Sequence, residues 1–303
     1  AIALTDADND FQAAVSLSGG AASVRDRNAL VLGNLEVDAL DVASGAGLDL
    51  GQGRVGGALV ARSGSAATAQ ANTIVAQAIA VPAATAAGIT QQGALTVAGN
   101  SVLDAGTGAI VLDAAGNDFQ GTVQARGSSI AIVDRNDLAA TAQASDALRL
   151  QAGGQLTTAG ALSANAIALR GGTGVALGHD VEGTSVALSS GGAITQNAGN
   201  LRAGQLSGNV AGAVTLTGSG NAIDALGDFS AQGLDLVSNR SLLVSGRVDG
   251  GPSLRLRSGG ELHLSGQLSG ATSWLQAAAG IRQRAGSSIT AGLLSGSAGG
   301  AVV

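Results

Sequence analysis

The stretch Asn9–Leu30 reads NDFQAAVSLSGGAASVRDRNAL, and Asn117–Leu138, 108 positions further on, reads NDFQGTVQARGSSIAIVDRNDL. The two copies align without a gap. A third, weaker copy starts with AVTL at Ala213–Leu216 and continues through Asn221 to GDF at Gly227–Phe229. Self-similarity of this kind indicates a repeat architecture, in which each unit buries its apolar face against the next.

A second repeated string supports the same organisation. Ile194–Val214 (ITQNAGNLRAGQLSGNVAGAV) matches Ile281–Val302 (IRQRAGSSITAGLLSGSAGGAV), which starts 87 positions later, and a weaker copy begins at Ile89. We therefore predict one continuous β-solenoid over residues 1–303. Its internal units span approximately 1–108, 109–212 and 213–300.

Short alternating runs recur inside each unit, as in Leu148-Arg149-Leu150 and Leu254-Arg255-Leu256. Clusters of Gly, Asn or Ser separate these runs. Alternation of apolar and polar residues between turn-forming residues is typical of half-buried β-strands. The Ala-rich stretch 66–87 is the nearest candidate for a helix, but its β-branched residues and Pro82 favour strand there too.

The composition limits the kind of core that the chain can build. Among 303 residues there are 61 Ala and 49 Gly, with 3 Phe, 1 Trp and no Tyr or Met. These side chains are too small for the thick core of a compact domain of this length. A β-sandwich needs bulky facing layers, and a propeller needs blade repeats with aromatic signatures. We therefore predict an all-β parallel β-helix (β-solenoid) of about 15 coils, at roughly 20 residues a coil.

Several function classes are excluded by absent residue types. Without Cys there is no disulfide framework, thiolate metal site or cysteine nucleophile. All 15 basic residues are Arg and the formal net charge is −6, so we expect no nucleic-acid partner. No apolar run reaches the ~18–20 residues of a membrane span, so we expect a chain that is not membrane-spanning.

The third unit carries the motif Asn221-x-Ile223-x-x-Leu226-Gly227-Asp228-Phe229, followed by Leu234-x-Leu236 and Gly259-Gly260-x-Leu262-x-Leu264. This pattern resembles the shaft repeats of filamentous-haemagglutinin-like exoproteins, the large adhesins of two-partner secretion. The resemblance implies a right-handed parallel β-helix and localisation to the bacterial cell surface after secretion. It also implies that the chain crosses the outer membrane unfolded through a partner transporter barrel. The absence of Cys suits that route, since a disulfide formed in the periplasm would block threading.

The resemblance predicts a structural shaft segment of a secreted bacterial surface adhesin. Such a segment extends a binding region from the cell and contributes to cell adhesion and biofilm. Two alternatives stay open: a carbohydrate-binding face on the same rod, with exopolysaccharide as ligand, and a β-helical polysaccharide lyase or hydrolase.

A lyase or hydrolase needs clustered carboxylates, or a carboxylate beside a basic residue, in a cleft. His179-Asp180-x-Glu182 is the densest acid–base group, but it lies between glycines in a predicted turn. Glu261 and His263 share an outward face beside inward leucines. We interpret both groups as solvated surface, and we predict no enzymatic activity, no catalytic residues and no cofactor.

Asp6, Asp8 and Asp10 alternate as at the start of a calcium-binding loop. The Gly and closing Glu of such a loop are missing, so we predict no metal site and leave open only weak calcium binding. The recurrent Asp26-Arg27-Asn28 and Asp134-Arg135-Asn136 predict a polar corner with an Asp–Arg pair.

The last unit contains several arginines close to the only Trp of the chain. Arg255 and Arg257 flank Leu256 and should point outward, and Trp274 is outward if Leu275 is inward. An exposed Trp near Arg can stack on a sugar and hold its acidic groups. Candidate contacts to a host or matrix polysaccharide are Arg255, Arg257, Trp274, Arg282 and Arg284.

Overall fold

The computed structural model describes residues 1–64 and 88–302, so the expected strand character of the stretch 66–87 lies outside the described residues. Within these ranges the chain is all-β, with 31 strands and no α-helix. The described residues accordingly include no helix that could span a membrane. Packing divides the chain into two compact units, Ala1–Gly154 and Gln155–Val303.

The first unit contains fifteen strands among its described residues. They are β1 Ile2–Leu4, β2 Val15–Asp26, β3 Leu30–Ser44, β4 Leu48–Asp49, β5 Gln52–Val55, β6 Leu59–Ser63, β7 Ile89–Thr90, β8 Leu95–Val97, β9 Ser101–Asp104, β10 Ile110–Leu112, β11 Asp118–Phe119, β12 Thr122–Gly127, β13 Ile130–Asp134, β14 Leu138–Ala144 and β15 Ala147–Ala152.

The second unit contains the remaining sixteen described strands. They are β16 Gln155–Ser163, β17 Ala166–Gly171, β18 Gly174–Leu177, β19 Val181–Ser190, β20 Ala193–Gln196, β21 Leu201–Val210, β22 Val214–Leu216, β23 Ala222–Ser230, β24 Leu234–Ser238, β25 Leu242–Val244, β26 Arg247–Asp249, β27 Ser253–Ser258, β28 Leu262–Leu264, β29 Gln267–Ala277, β30 Ile281–Gln283 and β31 Ser288–Ala298.

Strands of successive turns pair in parallel in both units. In the second unit Val214 pairs with Leu234, and Leu234 pairs with Leu254 one turn later. The same relation repeats at intervals of about 20 residues, which is the coil length expected from the sequence. Within residues 1–64 and 88–302, parallel stacking without intervening helices confirms the predicted all-β parallel β-solenoid.

One turn of the first unit is much longer than its neighbours. Leu40 pairs with Leu59, 19 positions later, whereas Leu48 pairs with Ile89, 41 positions later. The structure has about 14 turns, which agrees with the predicted number of about 15.

The core consists of thin columns of aliphatic side chains. Leu236, Leu256 and Leu275 occupy the same register position on three successive turns, and all three are buried. In the first unit Ala125 and Ala142 stack in the same way. Because each column is one side chain wide, either Leu or Ala can fill it without leaving the space that a thick core would have to fill.

Each of the two later repeats buries an Asn against a Gln from the preceding turn. Asn221 and Gln196 exchange two hydrogen bonds, with N–O distances of 2.7 and 2.9 Å. Asn117 and Gln91 do the same at 2.7 and 2.8 Å. Both Asn side chains are fully buried. The ITQ-type and ND-type strings, which recur separately in the sequence, thus form one contact between adjacent turns.

Candidate functional site

The face formed by β24, β27 and β29 carries the Arg–Trp cluster. Asp235, Arg255 and Trp274 occupy one register position on these three strands, one above the other. The carbon of the Arg255 guanidinium lies 5.1 Å from the centroid of the Trp274 ring, which is within cation–π range. The flanking Leu254 and Leu256 are buried, so strand alternation turns the charged and aromatic side chains outward.

A single carboxylate holds both arginines of this face. Asp235 lies 2.8 Å from a guanidinium nitrogen of Arg257 and 3.8 Å from one of Arg255. The Nε atom of Arg257 is buried and has no hydrogen-bond partner in the described chain. Two guanidinium groups against one carboxylate leave a local charge of +1 beside a half-buried Trp274. Such a surface can donate paired hydrogen bonds to a carboxylate and offer an aromatic edge to a sugar ring.

Arg282 and Arg284 belong to a different part of the turn. Arg282 lies on β30, which pairs with β28, and its register partner is His263. The Arg282 Nε atom donates to Glu261 at 3.1 Å. Arg284 is exposed, and its side chain has no partner among the residues that the structure describes. The structure thus brings together Arg255, Arg257 and Trp274 of the five candidates, and it adds Asp235.

The acid–base groups considered in the sequence form surface ion pairs. Glu261 Oε2 lies 3.0 Å from His263 Nε2 and shares its other oxygen with Arg282. Asp180 accepts a hydrogen bond of 2.7 Å from Arg202, and this contact lowers the pKa of the Asp180 carboxyl. A general acid needs a raised pKa, so the perturbation runs against that role. The absence of enzymatic activity stays a prediction.

The acidic segment at the start of the chain is engaged by its own neighbours. Asp6 accepts the backbone N–H of Asp8 at 2.9 Å, which is a local turn contact. Asp10 accepts hydrogen bonds from Arg27 and Gln12, and the bond from Arg27 lowers the pKa of Asp10. In the described part of the chain, no group of three or more His, Cys, Asp or Glu could hold a metal ion.

The Asp-Arg-Asn corners differ from the expected Asp–Arg pair. Asp134 accepts the backbone N–H groups of Phe119 and Asn136 at 2.6 and 2.7 Å. The arginine next to it, Arg135, pairs instead with Asp118 from the preceding turn. The corner is polar as predicted, but its ion pair joins two turns and does not lie within the tripeptide. Burial raises the pKa of Asp134.

The other two repeats keep this corner, the first with the same residue types and the third with a serine. In the first repeat Asp26 accepts the N–H groups of Phe11 and Asn28, and Arg27 pairs with Asp10. In the third repeat Ser238 accepts the N–H of Ile223 at 3.0 Å and donates to the carbonyl of the same residue at 2.9 Å. The corner residue therefore serves the backbone of the adjacent turn, which is a structural role.

A family described as repeats of unknown function (DUF5649) matches residues 64–126, about a fifth of the chain. A search of curated proteins and a search of solved structures each found no match. The matched region includes the second copy of the NDF motif, at Asn117–Phe119. The family match and the solenoid fold together fit a β-strand-repeat protein.

Proposed function

We propose that this chain is a structural shaft segment of a secreted bacterial surface adhesin, which extends a binding region from the cell and contributes to cell adhesion and biofilm. The observation that supports this proposal is the use of the repeated polar residues. Asn117, Asn221, Asp134 and Ser238 all satisfy backbone groups or side chains of an adjacent turn. Because the recurring polar residues join adjacent turns, they favour a role of the chain as an extended scaffold over a role in catalysis.

The mechanical role follows from the direction of the hydrogen bonds. In a parallel solenoid the ladder bonds run from turn to turn, so tension along the stack loads them in series. Each turn also covers the apolar face of its neighbour, and the two amide pairs fix the register. A force should therefore detach turns one after another from a free end.

Single-molecule force spectroscopy on the chain tests this mechanical role. One detached turn of about 20 residues should release roughly 70 Å of contour length. We expect a series of steps at this length or its small multiples. One step that releases the whole chain, or unfolding at forces indistinguishable from a disordered control, would contradict the proposal.

The secretion route can be tested by refolding. A chain that crosses the outer membrane unfolded through a transporter barrel must fold afterwards without oxidant or cofactor. We expect the protein to regain its β-sheet circular dichroism spectrum on dilution from urea, in the presence of reductant and a metal chelator. Failure to refold under these conditions would argue against delivery in the unfolded state.

A second candidate function is carbohydrate binding by the face of Arg255, Arg257 and Trp274. The specific observation in its favour is the Arg255–Trp274 stack beside a carboxylate that holds two guanidinium groups. The ligand class would be an acidic exopolysaccharide, since its carboxylates can compete with Asp235 for the arginines. No catalytic step and no cofactor are part of either proposal.

Three variants separate this function from a purely structural face. Trp274→Ala should weaken binding to polygalacturonate about fivefold, because a stacking contact contributes on the order of 1 kcal/mol. Asp235→Asn should strengthen binding, because it removes the competing carboxylate. The control variant Arg170→Glu changes an exposed arginine elsewhere and should lose far less affinity. Weaker binding by Asp235→Asn, or unchanged binding by Trp274→Ala, would contradict the assignment.

A further inference from the structure

A shallow groove of about 530 Å³ crosses strands β2, β3 and β5 of the first unit. Two polar rows border it, and each row has one residue per turn at an interval of 18 positions. The first row is Ser16, Asn34 and Gln52, and the second row is Ser18, Glu36 and Arg54. All six side chains are exposed. We call these two sets the amide row and the charged row.

The backbone between the two rows departs from regular strand geometry at two places. The pairing of β2 with β3 shifts register between Val15 and Leu17, so the strand is irregular at this point. Gly53 lies on the floor with φ +127°, and a side chain there would collide with the carbonyl of Leu35 at 2.1 Å. Glycine is therefore required at this position.

The amide row is held in place by its own contacts. The Oγ atom of Ser16 accepts the backbone N–H of Asn34 at 3.1 Å. The Gln52 Nε2 atom donates to Asn34 Oδ1 at 3.0 Å. These bonds leave the Asn34 amino group, the Gln52 carbonyl and the Ser18 hydroxyl without partners in the described ranges 1–64 and 88–302. The groove thus presents oriented donors and acceptors that protein groups do not use.

Across the groove, the charged row is close to neutral overall. Glu36 and Arg54 lie 3.5 Å apart and offset each other. This balance disfavours a polyanion such as a nucleic acid, whose binding depends on several unpaired cations. It also disfavours a strongly acidic glycan. An uncharged ligand fits these groups better.

The spacing between residues of each row along the stack also restricts the class of ligand. Equivalent residues on successive turns are about 4.8 Å apart along the stack. An extended peptide repeats the side chains on one face every two residues, about 6.6 Å, so it would fall out of step with the rows. A chain of equatorially linked pyranose rings advances by close to one turn spacing per ring. Its hydroxyl groups suit planar amide, carboxylate and guanidinium partners.

We propose that this groove binds a linear, uncharged polysaccharide that lies along the stack, with one sugar ring to each turn and three turns in contact. This site shares no residue with the Arg255–Trp274 face, lies in the other compact unit, and takes an uncharged ligand where that face takes an acidic one. The proposal therefore goes beyond both functions proposed above, and its test does not depend on the outcome of theirs.

The test uses the whole chain and three soluble uncharged polysaccharides: mixed-linkage β-glucan, galactomannan and arabinoxylan. Affinity electrophoresis ranks them, and calorimetry with the matching oligosaccharides gives affinities as a function of length. We expect at least one probe to bind, with affinity that rises up to about three or four rings and then levels off. No binding of any probe at millimolar sugar would overturn the proposal, as would affinity that keeps rising well beyond four rings.

Two variants and one control locate the binding. Asn34→Ala combined with Gln52→Ala should lower affinity at least tenfold, and Ser18→Phe should do the same by filling the groove without removing an amide. The control combines Gln124→Ala with Gln143→Ala, which are exposed amides on neighbouring turns outside the groove. Trp274→Ala should leave this binding unchanged. If the control or Trp274→Ala loses as much affinity as the groove variants, or if Ser18→Phe retains wild-type affinity, the assignment is wrong.

Discussion

The buried amide of Asn221 offers the sharpest test of how turns are held in register. Its Nδ2 group donates to Gln196 at 2.9 Å and to the carbonyl of Leu216 at 3.2 Å. Its Oδ1 atom accepts from Gln196 and from the backbone N–H of Leu201, both at 2.7 Å. One fully buried side chain therefore satisfies groups on three strands. We predict that Asn221→Ala is strongly destabilising.

The expected cost follows from the partners that would be left behind. The Leu201 N–H and the Leu216 carbonyl are buried and would each lose their hydrogen bond, at about 1–3 kcal/mol for each group. Gln196 is only half-buried and can turn to water, so its own loss is about 1 kcal/mol. The sum predicts about 3–7 kcal/mol for Asn221→Ala. Gln196→Ala should cost about 1–3 kcal/mol, because it leaves groups of the buried Asn221 side chain without their partner. Because both variants break the same bonds between the two amides, the double variant should cost little more than Asn221→Ala alone.

Two measurements check these values. Urea unfolding followed by circular dichroism gives the loss of stability, and hydrogen exchange of the Leu201 amide reports the local opening directly. A loss of 4 kcal/mol corresponds to roughly a thousandfold faster exchange when the equilibrium of local opening governs the exchange rate. A cost below about 1 kcal/mol for Asn221→Ala would refute the reasoning. Full additivity of the two single variants would show that the amide pair is not coupled.

Three further predictions concern other contacts between turns. Burial raises the pKa of Asp134, so the contribution of its carboxyl to stability is most favourable below the ordinary carboxyl pKa and is lost as the pH rises. In urea unfolding, the stability of Asp134→Ser relative to wild type should therefore increase between pH 4 and pH 7, and a relative decrease over this range would contradict the prediction. A Cβ atom at Gly208 would lie 2.6 Å from the ring of Phe229, so Gly208→Ala should cost about 1–3 kcal/mol and Phe229→Leu should recover part of that cost in the double variant. The bond from Arg202 lowers the pKa of Asp180, so the pair stabilises the protein above the ordinary carboxyl pKa and this stability is lost as the pH falls through the lowered value. Arg202→Gln should therefore make the stability slightly less dependent on pH in the acid range, since solvent screens the pair, and an unchanged pH profile in urea unfolding would count against the pair.

The sequence predicted strand type and orientation well because these depend on neighbours in the chain. Period-2 alternation places Leu254 and Leu256 inward and turns Arg255 outward whatever the rest of the fold does, and the structure has them so. The repeats and the small side chains together excluded compact architectures, so the sequence predicted a stack of parallel turns. The turn count agreed as well, at about 14 against a predicted number of about 15, because most paired positions lie close to 20 residues apart.

Contacts between turns were harder to predict, since their partners are about 20 residues apart. Arg135 was expected to pair with the Asp beside it, but it pairs with Asp118 from the turn before. Asp235 was missed for the same reason, although counting one 20-residue turn back from Arg255 would have found it. The groove beside Asn34 lies next to a register shift in the backbone between Val15 and Leu17, which no residue pattern in the sequence marks.

The sequence by itself determined that this chain forms parallel strands, with Ala, Val and Leu inward and few groups left for chemistry. Those properties follow from side-chain volume and from alternation along a strand, which are local. Only the tertiary structure decided which polar residues meet, because that depends on the length of each turn to within one residue. Successive turns differ in length, as the steps from Leu236 to Leu256 and from Leu256 to Leu275 show, so the partner of a polar residue cannot be found from a fixed period. The amide pairs, the Asp–Arg pairs between turns and the groove are therefore products of register.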